Sequence, residues 1–347
     1  MEVEMLASRS VWIRTLAILT VPFVALAFFV GLGAKDRIDR AEAAADDLDG
    51  IFPFATVAGL EGSLHEEGSL AIALAVGLIE ADEFGTATAA TDAARVELID
   101  ELTYHEPDSA IGRTLGELET GMATIADARE QLLAGTFEGQ ASDPYRAMLE
   151  STGEASRITA AVLFSPMVGA VALANLDAAR SASGDAVFES TASIFEASGT
   201  EAVADALMRL DAADLMLQQT ASPDLAEAVT TALASSDATL AADGASMIAE
   251  GEVPDLFAWA DATPAWVLAY GDPEGAEIET TISIMELRAE RAEHAALEFV
   301  IVAAAAWVGL LLLSVLVVRS ILGGRVVTDD KRTATVPAPA PTVDALT

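Results

Sequence analysis

The chain has 347 residues, with 55 Asp and Glu against 18 Lys and Arg for a formal net charge of −37, yet 52% of positions are hydrophobic. That pairing argues against a disordered polyanion, since disorder goes with low hydrophobicity. The charge argues equally against nucleic acid or anionic lipid headgroups as partners, because both demand basic patches. Alanine fills 72 positions while aromatic residues make up 5%, so helix is favoured over sheet. With no cysteine, a disulfide scaffold, a thiolate zinc site and a cysteine nucleophile are ruled out.

Residues 15–34 (TLAILTVPFVALAFFVGLGA) carry no charge, and neither do residues 299–318 (FVIVAAAAWVGLLLLSVLVV). Each is long enough to cross about 30 Å of hydrocarbon at about 1.5 Å per residue. Arg9 and Arg14 precede the first segment, and Arg319, Arg325, Lys331 and Arg332 follow the second. The positive-inside rule then predicts a two-pass protein of the cell membrane with both termini cytoplasmic. Lys35, Arg37 and Arg40 oppose this on the far side, interleaved with Asp36, Asp39 and Glu42. A cleaved signal peptide is the rival reading of the first segment, although its apolar run is longer than the usual signal core. The two-pass topology predicts an extracytoplasmic domain over 35–298, which holds 50 of the acids and 12 of the bases, a net of −38.

Within 35–298 apolar residues recur at helical spacing. Leu60, Leu64, Ile72, Leu74 and Leu78 predict a helix between Pro53 and Asp82, and Val96 to Leu102 a second that ends near Pro107. Asp108-Ser109 supply capping chemistry for a third, with Ile111, Leu115, Leu118, Met122 and Ile125 on one stripe and Gly135 as its stop. A fourth follows Ser142-Asp143-Pro144 and runs to Ser165-Pro166; further helices are expected over 167–196, 200–219 and 223–250. Residues 253–275, with Pro254, Pro264 and Pro273, read as a looser stretch, and an unbroken helix from about Glu274 leads into the second apolar segment. The expected fold is all-α, a helical bundle of two four-helix layers with a rough internal duplication marked by Pro53 with Gly68 and Pro166 with Gly184. Residues 331–347 (KRTATVPAPAPTVDALT) form a Pro- and Ala-rich cytoplasmic tail, and the 29 residues after the second segment are too few for an output domain.

The stretches LHEEGSLAIALAVG (Leu64 to Gly77) and TATAATDAARVEL (Thr86 to Leu98) resemble the opening of the nitrate- and nitrite-sensing domain family, in which one helix carries Glu-Arg-Gly and the next Arg-x-x-Thr-Asp. Looser matches follow in the same order at 125–137, 174–190 and 211–225, so the likeness covers roughly 53–250. It implies an extracytoplasmic helical sensor with ligand-binding positions at Glu66, Glu67, Gly68, Thr88, Thr91, Asp92 and Val187. Three family arginines are absent: Glu67 stands at one, Thr88 at another, and Ala186-Val187 replace the late Glu-Arg pair. Planar guanidinium is what binding a small oxyanion needs, so Arg95, Arg157 and Arg180 are the candidates for a displaced anion site.

Other chemistry is sparse. His65-Glu66-Glu67 lacks the second histidine of a helical zinc motif, and Asp46 to Gly50 lacks the first and last ligands of a calcium loop. His105 suits a helix end. No catalytic motif, metal site or cofactor is expected, and an enzyme is not. The expected function is a membrane-anchored sensory module that passes a ligand-induced helix shift to a partner histidine kinase or regulator. Its expected partners are the lipid bilayer, a small-molecule or anion ligand and a second copy in a homodimer, with no nucleic acid. The alternative is a non-catalytic scaffold of the cell envelope, with an apolar bundle centre free of convergent polar groups.

Overall fold

The structure is a computed structural model that describes residues 2–163 and 170–332, with side chains from 21 to 319 apart from positions 22, 23, 47 and 162–169. Ten helices and no strand occur among the described residues: α1 (Glu2–Asp49), α2 (Ile51–Ala75), α3 (Ala81–Leu102), α4 (Ala110–Leu133), α5 (Ser142–Leu163), α6 (Ala170–Phe195), α7 (Glu201–Thr220), α8 (Pro223–Leu233), α9 (Ser236–Ala249) and α10 (Leu256–Arg332). The protein is all-α, as the alanine content and periodicity imply. The contacts divide it into a unit of Met1–Ala44 with Arg288–Thr347 and a second unit, Ala45–Leu287.

Local signals set the helix ends. Ser109, in extended backbone, accepts a hydrogen bond from the Gly112 amide at 2.9 Å and so caps α4. Gly135 follows that helix with φ +66°, the left-handed conformation that favours glycine. The expected helix over 223–250 is two helices, because Ser235 accepts from the Ala238 amide and starts α9 afresh. Its Ser-Ser-Asp run is a capping signal inside an otherwise continuous apolar pattern. The end expected at Ser165-Pro166 lies outside the described residues, as does the tail from 333.

The looser stretch expected over 253–275 is instead helical from Leu256, with Pro264 and Pro273 inside α10. An interior proline removes a backbone donor and costs about 3 kcal/mol. Two features offset it. Thr263 Oγ1 donates at 3.0 Å to the Ala260 carbonyl, the acceptor that Pro264 leaves without its amide. Trp259, Trp266 and Tyr270 are buried along the same segment, and aromatic burial of this kind is worth several kcal/mol.

In the larger unit, α2 to α5 enclose one apolar core, with Leu60, Leu64, Phe84, Leu98, Leu115, Met122 and Tyr145 at its centre. A second core lies among α6, α7, α8, α9 and the start of α10, built from Leu176, Leu210, Leu217, Leu225, Trp266 and Tyr270. Helix α2 packs on α6 and joins the two. A smaller cluster of Ile51, Phe54, Leu173 and Met285 ties α2, α6 and α10 together.

In the smaller unit, the Arg37 guanidinium lies 4.5 Å over the Phe299 ring and donates to the Ala295 carbonyl at 3.0 Å. Phe28, Phe29 and Leu32 on α1 and Val300, Leu312 and Leu316 on α10 are exposed. Between Leu256 and Arg319, α10 contains a window long and apolar enough to cross a membrane, of which 6% is buried.

Candidate functional site

Helices α2 and α6 approach through reciprocal notches. A Cβ on Gly68 would lie 2.9 Å from Phe188 Cε2, and one on Gly184 would lie 2.8 Å from His65 Nδ1. Each helix therefore receives an aromatic ring of the other where it lacks a side chain. Around this crossing the bundle is polar.

On the α2–α5 side, Glu67 has a fully buried side chain and accepts two hydrogen bonds of 2.6 Å from Arg129 of α4, in a bidentate pair. Tyr145 of α5 donates to the same carboxylate at 2.6 Å, and Arg129 Nη1 reaches Asp92 of α3 at 2.6 Å. Burial, reinforced by the Glu67 charge, holds the Tyr145 hydroxyl well above its ordinary range.

At the notch itself His65 Nε2 meets Asp185 Oδ1 at 2.8 Å, and Arg209 of α7 donates to Asp185 Oδ2 at 2.7 Å. Burial pushes the Asp185 carboxyl up, but the His65 hydrogen bond and the Arg209 charge outweigh it and hold it below the usual range.

Deeper on α6, Arg180 meets three carboxylates. Its Nη2 donates to Glu61 of α2 at 3.1 Å and to Asp177 at 3.0 Å, and its Nε contacts Glu274 of α10. Ser181 donates to Glu61 at 2.8 Å, and Ser156 of α5 donates to Asp177. Burial raises the Glu61 carboxyl and pushes Glu274 up to about 8.

A cleft of about 830 Å³ opens over α6 between α5 and α7. Small residues, Gly153, Ala174, Ala178, Ser181 and Ala182, keep it open. Six carboxylates line it (Glu61, Glu150, Asp177, Asp185, Glu189 and Asp205) against three guanidinium groups (Arg146, Arg157 and Arg209). Each of those arginines is engaged: Arg146 by Glu189 at 2.7 Å and 2.9 Å, Arg157 by Glu154, and Arg209 by Asp185 and Asp205.

Of the positions expected from sequence, Glu67 and Asp92 converge on Arg129, and Gly68 packs against Tyr145 beside them. Thr91 is buried and donates to the Ser63 and Ala87 carbonyls at 3.3 Å each. Glu66 is exposed, Thr88 donates to the Gly85 carbonyl of its own helix, and Val187 packs on the second core. Arg95, Arg157 and Arg180 lie on three different helices. Arg95 forms a bidentate pair with Glu119 at 2.9 Å and 2.6 Å, so each of the three is committed to its own carboxylates. Sequence alone did not single out Arg129, Tyr145, Asp185, Glu61 or Glu274. Their one legible trace is that they are polar residues on the apolar stripes of their helices.

No protein-family model and no curated protein matches the sequence. The solved structure of the NasR transcription antiterminator is similar in fold, with a TM-score of 0.62 and 14% identity over 82% of this chain and 82% of that chain. At that identity the likeness concerns the arrangement of helices alone.

Proposed function

We propose that the protein is a two-pass, membrane-anchored sensory module whose larger unit lies outside the cytoplasm and passes a ligand-induced shift of α10 to a partner signalling protein. The observation that carries this is the continuity of α10. One helix runs from Trp259, Trp266 and Tyr270, buried in the bundle, to the exposed apolar window of membrane length. A rigid helix transmits translations or rotations of about 1–2 Å, the scale of known helix-shift switches. The ligand site in this reading is the cleft between α5, α6 and α7, a small polar solute being the class that its convergent side chains suit. The stretches 64–77 and 86–98, read from sequence as resembling nitrate- and nitrite-sensing domains, are consistent with this reading. The carboxylates already bound to Arg95, Arg146, Arg157 and Arg209 mean that nitrate would have to displace them.

A scaffold with an apolar bundle centre is disfavoured by the polar groups at the α2–α6 crossing. The test is disulfide crosslinking between cysteines placed at Ala34 and Phe299 in the full chain in vesicles, with nitrate, nitrite, small amines and amino acids added in turn. A change in crosslinking yield with a solute, abolished by filling the cleft with Ala178→Trp, is the expected result. An unchanged yield with every solute would overturn the sensor reading.

A further inference from the structure

Three carboxylates share one guanidinium in the interior: the side chains of Glu61, Asp177, Glu274 and Arg180 are all between 2% and 7% exposed. Fully ionised, the group would hold two uncompensated negative charges away from water. Leaving such charges unpaired away from water is strongly unfavourable, and buried groups shift their protonation before they accept that cost. The serine hydroxyls of Ser156 and Ser181 are already spent on Asp177 and Glu61.

Glu274 is the member left short. Its Oε2 contacts Arg180, while its Oε1 is buried with no donor facing it. Asp177 and Glu274 both contact the one Arg180 guanidinium. Two ionised carboxylates are acceptors only, so a bond between them requires a proton on one of them.

We propose that Glu61, Asp177 and Glu274 around Arg180 form a proton-binding site that sets the position of α10 against α2 and α6. With the proton on Glu274, the carboxyl donates to Asp177 and keeps its contact with Arg180, and α10 is held. With the proton lost, Glu274 and Asp177 repel, Glu61 adds a third charge, and the α10 side of the cluster is driven toward water. The groups facing Glu274 are Glu61 from α2 and Asp177 and Arg180 from α6. His65 acts on Glu61 from one turn further along α2, and α5 contributes the Ser156 hydroxyl. Burial places the Glu274 transition at about 8, above the ordinary carboxyl value of 4.5. A group raised in the folded state favours the fold fully below its ordinary value, and that contribution is lost as pH rises through the raised one.

The role of the α10 movement rests on the sensory reading; the proton site itself does not. Two measurements on the full chain in detergent separate them. Infrared difference spectra of wild type minus Glu274→Gln, titrated from about pH 6 to about pH 10, should contain one protonated-carboxyl carbonyl band. It should disappear with a midpoint near 8. Glu61→Gln removes a neighbouring charge that raises Glu274 and should move that midpoint to lower pH. No such band, or a midpoint that Glu61→Gln leaves in place, overturns the proton site. Spin labels at Val171 on α6 and Leu268 on α10, both exposed, then report the distance between the two helices. The distance should change over the same pH range in wild type and stay constant in Glu274→Gln. A wild-type distance that does not change overturns the control of α10. Crosslinking that responds to a solute but not to pH would keep the sensory reading and reject the proton switch.

Discussion

Replacing Arg129 by Ala removes the guanidinium that fills both oxygens of a carboxylate with no exposed surface. Losing one partner of a buried pair typically costs about 3–5 kcal/mol, because the charge that remains has neither water nor a counter-ion. Here the Tyr145 hydroxyl stays on Glu67 at 2.6 Å, which puts the cost at about 3 kcal/mol. The lost contact to Asp92 adds little, since that carboxylate is 60% exposed. For a unit of this size the loss corresponds to a melting point lowered by about 10 °C, read by differential scanning calorimetry of the full chain in detergent. Glu67→Leu with Arg129→Met, made together with Tyr145→Phe so that the buried hydroxyl on Glu67 is not orphaned, should recover most of the loss, because an apolar group of similar volume needs no solvation. If Arg129→Ala lowers stability by under about 1 kcal/mol, or if the changes at Glu67 and Arg129 add independently, the pair is not a buried ion pair of this kind.

Gly184→Ala places a methyl group 2.8 Å from the His65 ring. It should force α2 and α6 apart at a cost of about 1–3 kcal/mol, visible as a lower unfolding midpoint in urea, whereas Gly116→Ala, with open space around it, should be neutral or stabilising. Tyr270→Phe removes the hydroxyl that donates to Asp214 at 2.9 Å and should cost about 2 kcal/mol at neutral pH. Burial already raises the Asp214 carboxyl, and the Tyr270 hydrogen bond opposes that rise. Asp214 therefore favours the fold below its ordinary value and less so as pH climbs through the raised one. The variant should show a steeper decline over that window, and a deficit equal at acid and neutral pH would refute the assignment.

The difference between Glu67 and Glu66 shows what can be read in advance. Both lie in the run His65-Glu66-Glu67-Gly68-Ser69 of one helix, and the sequence reading expects both at the ligand site. Only the crossing of α4 and α5 over α2 makes Glu67 the buried acceptor of Arg129 and Tyr145 and leaves Glu66 in water. Prolines 264 and 273 make the converse point. Local propensity reads them as breaks, and burial of the tryptophans on either side of Pro264 overrides it.

The amino-acid sequence by itself determined an all-helical chain, the cap of α4 at Ser109 and its stop at Gly135, and an apolar window of membrane length within α10. Those features follow from periodicity and capping, which depend on neighbours within a turn or two. The tertiary structure alone decided which few of the many carboxylates are buried, and with which partner. Glu67 finds Arg129 at a separation of 62 residues, and Arg180 finds Glu61 at 119. Such partners are selected by the angle and depth at which helices cross, and no pattern along the chain encodes that. The net charge of −37 thus resides mostly at the surface, while a few carboxylates are buried with partners from other helices, Glu67 with Arg129 and Glu61, Asp177 and Glu274 about Arg180.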